Sequence, residues 1–193
     1  YAPDSAQTAF LGRLARQTAR EVAGDRAGVW AAFGVDSAPC SMSCAFCAFG
    51  ASWGVVRESH EWAQEDIVAA ARRYAAEGAS WIVLRTTEHY GRERLEALAK
   101  AVCAVLPPSC ALVANTGQMT VEEIRSLGRA GVQMMYHALR LGEGRDTPFD
   151  PAERRQALRR IGEAGMELAH LVEPLGPEHS DEEIADVLLA ALE

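Results

Sequence analysis

Short apolar runs alternate along the chain with longer segments in which apolar residues recur every three or four positions. The runs are nearly continuous, as in parallel strands that are buried on both faces; they are Val29–Val35, Trp81–Arg85, Ala111–Asn115, Val132–His137 and Glu167–Val172. The segments with helical periodicity are Glu61–Glu77, Gly91–Leu106, Val121–Ala130, Pro151–Ala164 and Asp181–Leu192. This alternation predicts an α/β fold with a parallel sheet covered by helices.

Three of the predicted helices begin with a capping signal, in which a short polar residue stands three positions before a glutamate. The pairs are Thr120 with Glu123, Asp150 with Glu153, and Ser180 with Glu183. A further amphipathic helix is predicted near the start of the chain, at Ala6–Val22, and we expect it to pack outside the sheet.

The chain of 193 residues is long enough for one core. We expect an N-terminal helical segment at 1–27 and a partial parallel (β/α) barrel at 28–193, with five strand–helix units. Five parallel units cannot close, and an uncovered strand edge recruits other chains. We therefore expect a sixth unit in a longer chain, or a partner polypeptide that covers the edge at Glu167–Val172 and Leu171.

Charge and composition exclude some classes of partner. The formal net charge of −8 disfavours nucleic acid and acidic membrane surfaces as partners. No apolar run approaches the roughly 20 residues that span a bilayer, and the first residues lack the pattern of a signal peptide. Five cysteines, three of them within eight positions, do not resemble a disulfide framework. We expect a cytoplasmic protein that does not bind membranes or nucleic acid.

The cysteine cluster Cys40-Ser-Met-Ser-Cys44-Ala-Phe-Cys47 follows the first predicted strand. Structural zinc sites and ordinary ferredoxin-type sites take four protein ligands, and no fourth ligand is near in the sequence. Three cysteines on a four-iron cluster would leave one iron open for another ligand. The alternative is a structural zinc loop with a remote fourth ligand, for which His60 and His89 are the candidates.

The spacing of the three cysteines, with an aromatic residue before the last, resembles the signature of the radical S-adenosylmethionine (radical SAM) enzymes. Two further segments, 111–124 and 153–165, are similar to the biotin synthase-like branch of that family. The branch includes biotin synthase, a hydrogenase-maturation protein and methylornithine synthase. The resemblance implies a [4Fe-4S] cluster on Cys40, Cys44 and Cys47, with S-adenosylmethionine on the open iron and Phe46 beside its adenine.

The resemblance also implies roles for polar residues that follow the predicted strands. Arg154 would bind the carboxylate of S-adenosylmethionine, and Glu88 lies where the family binds its amino group. Because the carboxyl ends of parallel strands meet at one edge of a barrel, further residues there are candidate cofactor contacts, namely Asn115, His137, Arg140 and Glu173. No residue is assigned to the chemical step itself.

The sequence departs from biotin synthase in one respect. That enzyme holds a second cluster with cysteines inside its strands, and the positions that align here are Val83, Val113 and Ala169. The other two cysteines, Cys103 and Cys110, are interpreted as packed thiols in the core.

These features predict an enzyme that generates a 5′-deoxyadenosyl radical and abstracts hydrogen from a small-molecule substrate for carbon-bond rearrangement or cleavage. Sulfur insertion, as in biotin and lipoyl synthases, is the enzymatic alternative. A non-catalytic metal-binding scaffold that serves a partner chain is the alternative of another class. The resemblance implies an electron donor such as flavodoxin or ferredoxin.

Overall fold

Five parallel strands form one sheet in the order β1-β4-β5-β6-β7. The computed structural model describes residues 5–24 and 26–190. The strands of this sheet are β1 (Trp30–Gly34), β4 (Trp81–Arg85), β5 (Ala111–Asn115), β6 (Met134–Tyr136) and β7 (Glu167–Ala169). The helices are α1 (Ser5–Ala23), α2 (Gln64–Ala76), α3 (Arg92–Cys103), α4 (Val121–Arg129), α5 (Pro151–Glu163) and α6 (Asp181–Leu189). The predicted α/β fold with five parallel strands is confirmed.

The two faces of the sheet differ in their surroundings, because successive strand residues point to opposite sides. One face joins the main apolar core through residues that include Phe33, Ile82, Leu84, Leu112, Ala114 and Met135. The other face, called the inner face here, is made by the residues that alternate with these. It comprises Trp30, Ala32 and Gly34 of β1, Trp81, Val83 and Arg85 of β4, Val113 and Asn115 of β5, Tyr136 of β6 and Ala169 of β7.

A second, two-stranded antiparallel pair lies outside the sheet and was not predicted. It joins β2 (Asp36–Ser37) to β3 (His60–Glu61). The predicted helix Glu61–Glu77 therefore begins later, at Gln64, because Glu61 pairs with Asp36 in β3. A short 3₁₀ helix at Ala51–Trp53 lies between the two strands of this pair.

The helix starts follow the predicted capping signals, with one change. Thr120 Oγ1 accepts a hydrogen bond from Glu123 N at 3.3 Å, and Ser180 Oγ accepts one from Glu183 N at 3.1 Å. Asp150 instead caps the N–H of Ala152, with 2.8 Å between Oδ1 and N. Because all three helices begin beyond the carboxyl ends of strands, the caps fix the edge of the sheet at which the loops emerge.

Just before the first strand of the sheet, the backbone packs tightly against an aromatic ring. Gly28 lies against the Trp81 ring, and a Cβ atom at residue 28 would be 1.7 Å from Trp81 Cζ3. The same ring lies 5.3 Å from that of Trp30, between centroids.

The α1 helix has no buried residue, so the expected packing of this helix is not seen. No described helix is long and apolar enough to cross a membrane.

The capping box of α4 provides a test of local stability. Replacing Thr120 by Ala removes the side-chain acceptor for Glu123 N, and we expect the free energy of unfolding to fall by about 0.5–2 kcal/mol. Urea denaturation followed by circular dichroism measures the change. The exposed Thr8 of α1 is the control, because Thr8→Ala should stay within about 0.5 kcal/mol of the parent. Equal effects of the two substitutions would contradict the assignment of the cap.

Candidate functional site

The loop that carries the three cysteines is closed on itself by backbone hydrogen bonds. Cys40 N donates to Phe49 O at 2.7 Å, and Ala51 N donates to Cys40 O at 2.9 Å. Cys47 N donates to Cys44 O at 3.1 Å. Two turns therefore bring residues 40, 44 and 47 onto one compact loop, which leaves the sheet at the carboxyl end of β1.

Two side chains brace this loop, Ser43 from within the cysteine motif and Trp53 from beyond it. Ser43 adopts a positive φ of 46°, which is uncommon for a residue other than glycine, and its Oγ accepts a hydrogen bond from Ser52 N at 3.2 Å. Trp53 Nε1 donates to Cys44 O at 3.1 Å while its side chain remains 53% exposed. The contact of Trp53 could not be read from the spacing of the cysteines.

The three thiols are unpaired and partly buried. Burial raises the pKa of the Cys44 thiol, the nearby Arg140 guanidinium opposes that rise, and the neighbouring Cys47 and Cys40 add to it. The Cys44 thiol therefore lies close enough to Arg140 and to the other two cysteines to be affected by their charges. A thiolate at Cys44 would gain from a bound cation, because an added positive charge offsets the cost of burial.

The two candidate remote ligands of a zinc loop make contacts with other side chains. His89 Nε2 lies 3.1 Å from Ser41 Oγ, and His60 packs edge-on against Trp62 with ring centroids 5.1 Å apart. Among the described residues, no group of three or more His, Cys, Asp or Glu side chains is arranged to hold a metal ion, and this applies to the three cysteines as well as to the two histidines.

The segment between β6 and α5 folds around a buried arginine. Arg154, in the first turn of α5, is 1% exposed. Its Nη1 lies 3.1 Å from His137 Nε2, and its guanidinium carbon lies 3.8 Å from the centre of the Phe149 ring. Arg154 Nη2 is buried and has no hydrogen-bond partner. Since a buried donor without a partner is costly, this atom is suited to an incoming acceptor.

Glu143 supplies the negative charge beside Arg154. The Glu143 side chain is 2% exposed, with Oε2 at 3.4 Å from Arg154 Nε. Its oxygens also accept hydrogen bonds from Arg140 N at 3.0 Å and from Thr147 Oγ1 at 2.5 Å. Glu143 was not among the residues predicted from the sequence. Its position between two glycines, Gly142 and Gly144, was the one signal there, and both glycines adopt a positive φ in the structure.

His137 completes the arrangement as a neutral acceptor. Burial lowers its pKa to about 3, and the Arg154 and Arg140 charges act in the same direction. The unprotonated Nε2 can therefore accept the hydrogen bond from Arg154. Burial also lowers the pKa of the neighbouring His170, whose Nε2 is buried without a hydrogen-bond partner.

One backbone contact joins the cysteine loop to this segment. Ala45 N donates to Asp146 O at 2.7 Å. Close by, the guanidinium carbon of Arg140 lies 6.0 Å from the centre of the Phe46 ring, which is 41% exposed. Two parts of the chain that are a hundred residues apart therefore form one surface at the carboxyl edge of the sheet.

The remaining predicted residues lie along the same edge. Glu88 Oε1 accepts a hydrogen bond from Gln118 N at 3.3 Å. Asn115 ends β5, and its Nδ2 donates to Tyr136 O at 2.9 Å. Glu173 Oε2 accepts from Tyr136 at 2.7 Å, and Arg140 Nε lies 3.9 Å from its other oxygen. We call this row of polar side chains at the carboxyl ends of the strands the polar edge; it includes Glu88, Asn115, His137, Arg140 and Glu173.

The other cysteines and the second-cluster positions lie elsewhere. Cys110 is buried in the main core, and Cys103 packs against the same core. Val83 pairs in register with Val113 on the inner face, and Ala169 lies on the same face. Arg155 points away from Arg154 and pairs with Asp186 of α6, with 2.7 Å between Nη2 and Oδ2.

Comparison with solved structures identifies the fold. HydG, a maturase of the [FeFe]-hydrogenase, matches with a TM-score of 0.78 at 16% identity, over 98% of this chain and 44% of HydG. Methylornithine synthase (PylB) matches with a TM-score of 0.74 at 15% identity, over 92% of this chain and 53% of the synthase. The structure of anSMEcpe with bound AdoMet matches with a TM-score of 0.54 at 13% identity, over 75% of this chain and 44% of that enzyme.

These three proteins are radical SAM enzymes, and HydG and methylornithine synthase are of the kinds named in the biotin synthase-like branch. The resemblance seen in the sequence is therefore confirmed at the level of the fold, a partial parallel (β/α) barrel. The chain spans about half the length of the solved structures it matches. Neither a scan against family models nor a search of curated proteins finds a match.

The buried, neutral His137 leads to a test of stability against pH. Its pKa of about 3 in the fold lies below the ordinary value of 6.5, so the unfolded chain binds a proton first as the pH falls. We expect this residue to remove stability progressively from about pH 6.5 down to pH 3, by at most about 1.4 kcal/mol per pH unit.

Replacing His137 by Gln should flatten this part of the profile, measured as the urea midpoint from pH 7 to pH 4. His60→Gln, at an exposed position, is the matched control and should leave the profile of the parent unchanged. A profile for His137→Gln as steep as that of the parent would mean that His137 does not titrate in this way.

Proposed function

We propose that this chain is the cluster-binding and S-adenosylmethionine-binding part of a radical SAM enzyme. One observation carries the proposal. The cysteine loop, with the radical SAM spacing, leaves β1 at the carboxyl edge of a sheet whose fold matches HydG and methylornithine synthase. The division of the chain into an N-terminal helical segment, 1–27, and a partial barrel, 28–193, remains a prediction and is part of this proposal.

The residues present fit the proposed cofactors. Three unpaired, partly buried thiols lie on one loop, which is the number of protein ligands that a [4Fe-4S] cluster needs when S-adenosylmethionine occupies its fourth iron. Arg154 supplies a buried guanidinium in which two nitrogens, Nε and Nη2, have no hydrogen-bond partner, and of these only Nε lies beside a carboxylate, that of Glu143. When bound, the cluster would supply the electron for reductive cleavage of S-adenosylmethionine to methionine and a 5′-deoxyadenosyl radical, which would take hydrogen from the substrate.

In this proposal the chain binds and orients the cofactor from several sides. Cys40, Cys44 and Cys47 hold the cluster, and the exposed Phe46 ring offers a flat surface to the adenine. Glu88 receives the amino group of S-adenosylmethionine, since a carboxylate stabilises an ammonium group. The other residues of the polar edge would line the cofactor site, namely Asn115, His137, Arg140 and Glu173.

Arg154 is the proposed partner of the cofactor carboxylate. His137 occupies Nη1, and Glu143 lies beside Nε, so the guanidinium cannot rotate freely. Its unpartnered Nη2 is the nitrogen left for the carboxylate. Glu143 and His137 are therefore positioning residues, because they fix the orientation of Arg154.

The inner face favours carbon-bond rearrangement or cleavage over sulfur insertion. Val83, Val113 and Ala169 occupy the places of the second-cluster cysteines of biotin synthase, and their side chains carry no atom that binds iron. In this proposal the substrate is a small molecule, and a flavodoxin or ferredoxin supplies the electron. As part of the same proposal, the protein works in the cytoplasm, under oxygen-free and reducing conditions.

The cluster ligands can be tested by iron content. Purified without oxygen and reconstituted, the full-length protein should carry about four irons per chain. Substitution of Cys40, Cys44 or Cys47 by Ala should remove this iron, because each thiolate binds a different iron of the cluster. Cys103→Ala and Cys110→Ala are the controls and should retain it. Loss of iron in the Cys103 variant would mean that the ligand set is wrong.

The role of Arg154 needs a variant that does not leave Glu143 buried without its counter-ion, since breaking such a pair costs about 3–5 kcal/mol. The double variant Arg154→Ala/Glu143→Gln removes both charges. We expect S-adenosylmethionine to bind more weakly by about 1.5–3 kcal/mol in calorimetry, with iron content unchanged. Arg155→Ala, on the outer side of α5, is the control. Unchanged affinity in the double variant would transfer the carboxylate role to Arg140.

A further inference from the structure

The inner face carries one cation at the carboxyl edge of the sheet that the proposed cofactor site does not use. Arg85 is the last residue of β4, and it is exposed. The two residues that precede it in the strand point to opposite faces: Leu84 joins the main core, whereas Val83 lies on the inner face with Arg85. The Arg85 side chain therefore projects from the side of the sheet away from the helices, at the edge where the cysteine loop emerges.

The Arg85 side chain is held by a short chain of hydrogen bonds. Arg85 Nε donates to Asn115 Oδ1 at 3.3 Å, and Asn115 Nδ2 donates to Tyr136 O at 2.9 Å. The amide of Asn115 is thereby fixed at both ends. Since this bond uses Nε, the two terminal nitrogens of the guanidinium are left as donors, and two such donors can bind a carboxylate with two hydrogen bonds.

No acidic side chain among the described residues neutralises Arg85. The nearby carboxylate, Glu173, accepts a hydrogen bond from Tyr136 and pairs with Arg140. Asp36, which follows β1, is held by the N–H and the hydroxyl of Thr87. Within the parts of the chain that the structure describes, Asn115 Oδ1 is the only hydrogen-bond acceptor for the Arg85 side chain. This cation is therefore available to an external anion.

An exposed apolar strip lies directly beside Arg85. Gly34 of β1 pairs in register with Arg85, Ala32 with Val83, and Trp30 with Trp81. Residues 30, 32 and 34 are all exposed, and a Cβ atom at Gly34 would meet no atom nearer than 4.0 Å. The Trp30–Trp81 pair lies four residues before Arg85, which corresponds to a distance of about 13 Å along the strand. The strip is thus open, apolar and about as long as a small organic molecule.

A cation at one end of an apolar strip matches a ligand with an anionic end and an apolar body. We propose that Arg85 binds the carboxylate of the substrate, and that the apolar body of this acid lies along Gly34, Ala32 and Trp30. The substrate class is therefore a small carboxylic acid. This inference rests on the proposed radical SAM function, which needs a substrate at this edge of the sheet.

The test measures binding in the full-length, cluster-loaded protein with S-adenosylmethionine present. The probes are three acids with their neutral amides: hexanoate and hexanamide, hydrocinnamate and hydrocinnamamide, and indoleacetate and indoleacetamide. By calorimetry we expect at least one acid to bind about tenfold or more tightly than its amide, the minimum for a hydrogen bond to a charged group. Arg85→Gln should abolish that preference, and Arg85→Lys should retain part of it.

Arg129→Gln is the matched control, because Arg129 pairs with Glu122 on the outer surface of α4. It should leave the preference for acids unchanged. The proposal is overturned if no acid binds more tightly than its amide, if Arg85→Gln keeps the preference, or if Arg85→Gln weakens S-adenosylmethionine binding instead.

The same preparations separate this inference from the proposed function. If S-adenosylmethionine is reductively cleaved but the acids show no preference that depends on Arg85, only the inference fails. If the acids bind through Arg85 in a protein that takes up no iron, the radical SAM proposal fails and the carboxylate site stands.

Discussion

The segment between β6 and α5 is shaped by the need to bury the positive charge of Arg154. Moving a guanidinium out of water costs several kcal/mol unless nearby groups compensate for the lost hydration. Here the compensation comes from three directions: the Glu143 carboxylate, the neutral His137 ring and the face of Phe149. Thr147 in turn holds Glu143 in place. The polar contacts of this irregular segment therefore centre on one charge, while Leu139 and Leu141 of the same segment are buried in a second apolar cluster with Leu158 and Val187.

The same constraint reaches the cysteine loop. Asp146, three residues after Glu143, accepts the hydrogen bond from Ala45 N, between Cys44 and Cys47. Arg140, whose own N–H donates to Glu143, influences the thiol of Cys44. The position of Arg154 and the shape of the cysteine loop are thus set together, which a cofactor that touches both would require. This coupling does not depend on any residue of the main apolar core.

The parts of the structure that follow a hydrophobic period or a local capping rule could be predicted from the sequence. Each of the five predicted strands contains a strand of the sheet, and Thr120 and Ser180 cap the helices that they were predicted to cap. The β2–β3 pair was missed because two residues per strand show no periodicity. Glu143 was missed because its partner Arg154 is eleven positions away, across an irregular segment whose path no pattern specifies. The residues of the polar edge were predicted from their strands, but their pairings with one another were not, since pairing depends on side-chain direction.

Gly28 and Trp81 constrain each other because a side chain at position 28 would occupy the same volume as the Trp81 ring. The Trp81 ring fills the volume that a side chain at position 28 would need, at the amino end of the sheet and far from the cysteines. A change at position 28 alone would displace the ring, whereas a smaller residue at position 81 would leave room for it. We therefore expect changes at these two positions to be coupled. In an alignment of related sequences their covariation would mark a constraint of packing, and it should not be mistaken for a signal from the active site.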